Sequence, residues 1–289
     1  MNIQRTFLPG DKWLYYKLYC GLKGADYIIS ITIYDIIKKL HKNNMIEKWF
    51  FIRYYDPEYH LRIRFLVTKK EYIQLIIKIM NESINRRFKE KMIWKIQIDT
   101  YERELERYKS IEKSESIFHI DSEMNILILK SIKGNNTIKW KIAICIIELY
   151  LSFLGPCVDK KLGALDYISN SFKKEFGFNE YNSKTLNAAY REHKGIIEAI
   201  ITNKYNDKEY IKCLKIIEKS KKVINKYYNN ETDNFIELAD YIHMSFNRLF
   251  MSEGKKYELL LYVFLDKYYR SEVAKAEIKI NILNQNEKH

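Results

Sequence analysis

Three side chains able to hold an anion alternate along one short segment: His60, Arg62 and Arg64, inside the stretch WFFIRYYDPEYHLRIRF from Trp49 to Phe65. Successive side chains of a β-strand point to opposite faces, so an imidazole and two guanidiniums line one face while Leu61, Ile63 and Phe65 line the other. Planar guanidinium forks suit a carboxylate or a phosphate held bidentately. The same alternation also fits a half-exposed strand with a solvated polar face, and the strand alone does not choose. A second polar cluster is Tyr101-Glu102-Arg103-Glu104-Leu105-Glu106-Arg107-Tyr108. If its first turn is helical, Tyr101, Glu104, Arg107 and Tyr108 share a face. That face holds either a surface ion pair between Glu104 and Arg107, contributing under about 1 kcal/mol, or a third guanidinium for the anion. In the second case Glu104 orients an arginine or handles a proton. His243 is the third candidate. Phe235, Leu238, Ile242, Phe246 and Leu249 form an apolar stripe at helical spacing, with His243 at its edge and Asn247 one turn further on. This histidine is either a core-edge residue or, beside a pocket, a carrier of protons with a near-neutral pKa.

The elements that must position these groups follow from periodicity. Trp49 to Tyr55 and His60 to Phe65 read as two strands joined by the turn residues Asp56-Pro57-Glu58. Lys12 to Cys20 reads as a strand, Asp26 to Asn44 and Lys70 to Lys89 as helices, and Met92 to Tyr101 as a strand with Trp94, Ile96 and Ile98 facing one way. The order strand, helix, strand, strand, helix, strand is that of a ferredoxin-like antiparallel sheet, with helices on one face and the other face free for a site. If the helices cover Leu61, Ile63 and Phe65, the arginine face is the open one. Beyond Ser110 the pattern is helical: Glu112 to Lys133, Lys139 to Leu154, Lys160 to Phe176, Lys184 to Thr202, Asp207 to Tyr228, Asp233 to Met251 and Lys255 to Tyr269. Gly134-Asn135-Asn136 and Gly155-Pro156 are breaks, and 280–289 reads as a frayed tail. The expected fold class is α+β, a ferredoxin-like region over 1–110 followed by a largely helical region over 111–289. With three prolines and nine glycines no linker marks a boundary, so 1–289 is expected to be one composite unit.

Composition narrows the classes. At 289 residues and 47% hydrophobic content the chain can bury a substantial core. The net charge of +13 comes from scattered residues, without a block of five like charges, which argues against a nucleic-acid arm and leaves a diffuse field that attracts anionic substrates. Cys20, Cys145, Cys157 and Cys213 are widely separated and form no C-x-x-C, so neither a disulfide framework nor a zinc site is signalled. The apolar run from Ile142 to Leu154 is too short to span a bilayer and the N-terminus lacks a signal pattern, so a cytoplasmic location is expected. No Gly-rich phosphate loop or nucleotide fingerprint is present, and no cofactor or metal is implied.

Several of these segments together resemble the C-terminal elimination domain of lantibiotic dehydratases, a family that includes thiopeptide-type bacteriocin biosynthesis proteins. Trp13-Leu14-Tyr15-Tyr16-Lys17-Leu18 resembles its opening W-x-Y-x-K-L, and the hairpin resembles its WFF-x-RY-x-DP-x-x-H-x-R-x-R. The segment from Tyr101 to Tyr108 resembles Y-x-x-E-x-E-R-Y, Phe118-His119-Ile120-Asp121-Ser122 resembles F-x-A-D-S, and Ile242 to Leu249 resembles H-x-H-x-N-R-L. The resemblance spans most of the chain, in order. It departs at Ser245, which stands where a second histidine is usual.

What the resemblance implies is a lyase. Such domains act on a ribosomal precursor peptide whose Ser or Thr has been esterified with glutamate by a separate glutamylating subunit. They remove the α-proton and expel glutamate, leaving dehydroalanine or dehydrobutyrine. The implied catalytic residues are Arg62, Arg64, Glu104, Arg107 and His243, and the implied substrate-binding residues are His60, Tyr101, Tyr108 and Asn247. The implied partners are the precursor peptide and the glutamylating subunit, without direct nucleic-acid or membrane contact; a homodimer stays open. An alternative within the family is a pyridine synthase, which joins two dehydroalanines by [4+2] aza-cycloaddition and releases the leader; keeping the glutamate-handling set favours elimination, Ser245 the alternative. A non-catalytic adaptor that presents the peptide is a third reading, favoured if the basic row lies away from any cleft.

Overall fold

A computed structural model of the chain describes residues 3–177, 180–228 and 235–286. The first region contains β1 (Thr6–Phe7), β2 (Trp13–Cys20), α1 (Leu22–Tyr27), a π-helical stretch Ile28–Ile33, α2 (Tyr34–Lys42), β3 (Ile46–Tyr55), β4 (Tyr59–Val67), α3 (Tyr72–Lys89), β5 (Ile93–Asp99) and β6 (Tyr101–Glu102). Strands β2 to β5 form an antiparallel sheet in the order β3-β4-β2-β5, which is the ferredoxin-like order. The expected alternation of β4 is observed. Leu61, Ile63 and Phe65 are fully buried in a core shared with Ile36 and Leu40 of α2 and Ile76 and Met80 of α3, while Arg62 and Arg64 sit on the opposite face, across from Lys17 and Tyr15 of β2.

Three expectations are corrected. The segment 101–108 does not open as a helix: Tyr101 and Glu102 pair with Phe7 and Thr6, because the chain continues in extended form out of β5. On β5 Trp94 does not continue the alternation of Ile96 and Ile98: the register shifts opposite Tyr19 and Cys20, so that Ile93 pairs with Cys20 and is buried while Trp94 is exposed. The last helix runs far past Tyr269, so most of the expected tail is helical; only 287–289 lie outside the described residues.

The second region is helical: α4 (Ile111–Ile132), α5 (Lys139–Leu151), α6 (Val158–Glu175), α7 (Glu180–Ile201), α8 (Lys208–Ile224), α9 (Phe235–Leu249) and α10 (Gly254–Asn286). The expected start of α9 at Asp233 lies outside the described residues. Helix α4 stops where Lys133 and Gly134 adopt left-handed backbone (φ 44° and 85°), the conformation that the Gly-Asn-Asn signal favours. Among the described residues no helix is long and apolar enough to cross a membrane.

Helices α4 and α9 dock on the outer edge of β3. Asn247 on α9 accepts from the Arg53 amide and donates to the Arg53 carbonyl, both at 2.8 Å. Arg248 donates to the Phe51 carbonyl (2.8 Å), and the Phe51 amide donates to the Ser122 hydroxyl of α4 (3.2 Å). Behind this seam Arg248 is fully buried and pairs with Asp121 at 2.8 Å; Tyr150 and Asn125 also donate to that carboxylate. Removing one member of a buried pair strands the other charge. Arg248→Ala is therefore expected to lower the unfolding free energy by about 3–5 kcal/mol in urea denaturation, and an unchanged midpoint would contradict this account.

Candidate functional site

The open face of the sheet does not end in solvent. Helix α9 and the segment 102–108 rise over it and enclose a cavity of about 300 Å³. Its walls include Arg62 and Arg64 from β4, Tyr101, Glu104, Arg107 and Tyr108 from the segment after β5, and His243 and Asn247 from α9. Eight of the nine site residues read from the sequence thus meet in one hollow. His60 is the exception.

Arg64 is buried, and no carboxylate lies within ion-pairing distance of it among the described residues. Its guanidinium carbon sits 4.5 Å from the centre of the Tyr15 ring, 4.8 Å from Tyr101 and 5.2 Å from Phe50. Aromatic faces attract a cation, but they do not replace its lost hydration. Burial accordingly pushes Arg64 below the ordinary arginine pKa, and its Nε has no hydrogen-bond partner. Arg62 is half-buried, stacks at 3.3 Å from the centre of the Tyr54 ring, and likewise lacks a carboxylate partner among the described residues.

His60 is buried between Tyr19 and Tyr54, which keeps it out of the cavity and corrects the expectation that it touches substrate. Its Nδ1 lies 2.8 Å from the Glu58 carbonyl, and its Nε2 accepts from Arg62 Nε at 3.1 Å. This tautomer needs a neutral ring, and burial lowers the pKa of His60. Its place is to seat Arg62.

Arg107 departs from the expected clamp of three free guanidiniums. It donates to Asp240 of α9 at 2.6 Å and to Glu104 at 3.2 Å, and the hydrogen bond to Asp240 raises its pKa. It therefore closes the cavity as half of an ion pair, while Glu104 holds an arginine, as the spacing suggested. The Tyr101 hydroxyl is committed to Glu115 (3.0 Å), leaving its ring face to Arg64, and the Asn247 amide is committed to the backbone of Arg53.

His243 presents a different chemistry. Its Nδ1 lies 2.9 Å from Glu258 of α10, a fully buried carboxylate whose pKa burial pushes up against the opposing effect of the histidine. A carboxylate on one ring nitrogen fixes the tautomer and leaves the other nitrogen to exchange a proton. Sequence reasoning missed Asp240 and Glu258. Asp240 had a local signal, lying three residues before His243 and seven before Asn247 on one helical face. Glu258 had none, because it reaches His243 from the next helix. Ser245, the departure from the expected motif, is fully buried on the core side of α9 and does not line the cavity.

The chain is also similar in sequence and fold to known proteins. The chain is 32% identical over 179 residues to nisin biosynthesis protein NisB of Lactococcus lactis subsp. lactis, a match covering 60% of this chain and 17% of that protein. It is 26% identical over 269 residues to subtilin biosynthesis protein SpaB of Bacillus subtilis, covering 85% of this chain and 24% of that one. The chain thus spans about a quarter or less of the curated relatives it matches. Its fold is similar to that of the tRNA dependent lantibiotic dehydratase MibB from Microbispora sp. 107891, with a TM-score of 0.73 at 15% identity over 95% of this chain and 29% of that one. It is also similar to the pyridine synthase TbtD from thiomuracin biosynthesis, with a TM-score of 0.64 at 9% identity over 90% and 98% of the two chains. Residues 13–269 match the family described as lantibiotic biosynthesis dehydratase C-term, and the chain belongs to that family.

Proposed function

We propose that the chain is a glutamate-eliminating lyase, acting on a precursor peptide whose Ser or Thr carries a glutamyl ester added by a separate glutamylating subunit. The observation that carries this reading is Arg64, a buried guanidinium with no carboxylate of its own among the described residues, beside Arg62 in a cavity that also holds His243. A buried cation without a counter-ion is costly, and an incoming carboxylate offsets that cost.

In the reaction a base takes the α-proton of the esterified residue, the electron pair forms the Cα=Cβ bond, and the Cβ–O bond breaks to release glutamate as a carboxylate. Arg64 and Arg62 hold the departing glutamate where its charge develops. His243 takes the proton, with Glu258 on its Nδ1 orienting the ring. Arg107, tied to Asp240 and Glu104, closes the cavity and keeps Arg62 and Arg64 the available anion donors.

Incubation of the purified protein with a glutamylated peptide, followed by mass spectrometry, tests the reading. Loss of glutamate supports it; ring formation with loss of leader from a fully dehydrated linear peptide would identify the cyclising activity instead. Arg64→Leu is expected to slow elimination by about 10²–10³-fold and His243→Ala by about 10²–10⁴-fold, with the glutamyl ester accumulating; unimpaired conversion removes that residue from the mechanism.

The seat of Arg62 is pH-dependent. Because the folded pKa of His60 is lowered, its neutral form and the bond from Arg62 are complete above the ordinary value of 6.5 and are lost as pH falls through the depressed one. An imidazole titration by NMR should place His60 below 6.5 with its proton on Nδ1; a titration above that value contradicts the assigned network.

A further inference from the structure

On another part of the molecule, three metal-ligating side chains meet where α2 passes α4. His41 lies in the last turn of α2, and His119 and Glu123 lie one turn apart on one face of α4. Their donor atoms lie within 4.8 Å of one another. His41 Nε2 and His119 Nε2 stand 3.7 Å and 4.0 Å from the same oxygen, Glu123 Oε1. Both separations exceed a hydrogen bond. His41 Nε2 is shielded from solvent and has no hydrogen-bond partner.

The second imidazole is held by its other nitrogen. His119 Nδ1 lies 3.1 Å from the Trp49 carbonyl and 3.4 Å from the Trp49 amide. In the tautomer whose Nδ1 donates to the carbonyl, Nε2 keeps its lone pair facing Glu123. A backbone carbonyl behind a histidine, fixing ring and tautomer, is the usual support of a metal ligand.

We infer that His41, His119 and Glu123 form a binding site for a divalent transition-metal ion, with Zn²⁺ the ion best matched. Two imidazoles and one carboxylate are the donor set of open zinc sites, whereas Mg²⁺ and Ca²⁺ favour oxygen donors throughout. Bond lengths of about 2.0–2.1 Å put tetrahedral ligands about 3.3 Å apart, so the observed separations close by small side-chain rotations, for which half-exposed Glu123 has room. The ion would tie α2 of the sheet region to α4 of the helical region. Its remaining positions would open towards the neighbouring cleft, which His119 and Glu123 also line together with Lys48, Lys215 and Lys219. Lys48 does not occupy the site, as its ammonium is turned onto Ser116 (2.7 Å).

The test uses the full chain, without a histidine tag and stripped of metal by chelator, titrated with ZnSO₄ and followed by calorimetry and thermal unfolding. One ion per chain and a raised unfolding midpoint are expected. Glu123→Ala and His41→Ala should each weaken binding by at least the roughly 10–100-fold that loss of a ligand's outer partner costs. Neither side chain is needed by the catalytic cavity, and circular dichroism of both variants before titration confirms that they are folded. In the Co²⁺-loaded protein the visible absorption of the bound ion should disappear in the same two variants. Absence of stoichiometric binding, binding by both variants as tight as by the unaltered chain, or loss on His243→Ala with retention in Glu123→Ala overturns the assignment.

Discussion

The outer edge of β3 is the constraint on which the rest depends. An edge strand presents unpaired amides and carbonyls, which must meet water, another strand or side chains. Here the alternate residues Trp49, Phe51 and Arg53 turn these groups outward, and His119, Ser122, Asn247 and Arg248 meet them from α4 and α9. The helical region is thereby fixed in register along a strand, through its backbone, rather than resting on a greasy surface alone. That register brings the cavity-facing side of α9 over the arginine row of β4.

The buried charges divide into two kinds. Arg53 and Lys139 share Asp26, Arg103 is held by Glu115 through two hydrogen bonds, and Arg248 pairs with Asp121. These pairs sit where sheet and helices join, and their geometry specifies the junction more than it stabilises the fold. Arg64 is the buried arginine or lysine without a carboxylate among the described residues. An unpaired buried charge costs stability, and the proposed function supplies the anionic ligand that would offset it. The net charge of +13 says little about this, since the excess is scattered over the chain.

Within α9, neighbouring positions serve different purposes because a helix turns by 100° per residue. His243 faces the cavity, Ser245 the core, Asn247 both the cavity and the strand edge, and Arg248 the buried seam. The resemblance to a histidine-rich motif pointed to this helix, which lines the cavity and docks on β3. It could not separate the residue that faces the cavity from those that dock the helix, since both kinds are polar residues at similar spacing.

Period-two alternation in β4 was enough to place Leu61, Ile63 and Phe65 inward and Arg62 and Arg64 on the other face, because side-chain direction in a strand is a local property. The ferredoxin-like order and most helices were legible for the same reason, each carrying its own apolar period. Partners distant in the chain were not. That Asp240 neutralises Arg107, that Glu258 holds His243, that His60 turns away from the cavity to seat Arg62, and that Arg64 lacks a counter-ion among the described residues are decided by which elements pack side by side. The sequence by itself determined which face each strand offers and which residues can carry charge or protons. Only the tertiary structure decided which of those charges are already paired, because pairing depends on separations of a few ångströms between segments as far as 133 residues apart, as Arg107 and Asp240 are.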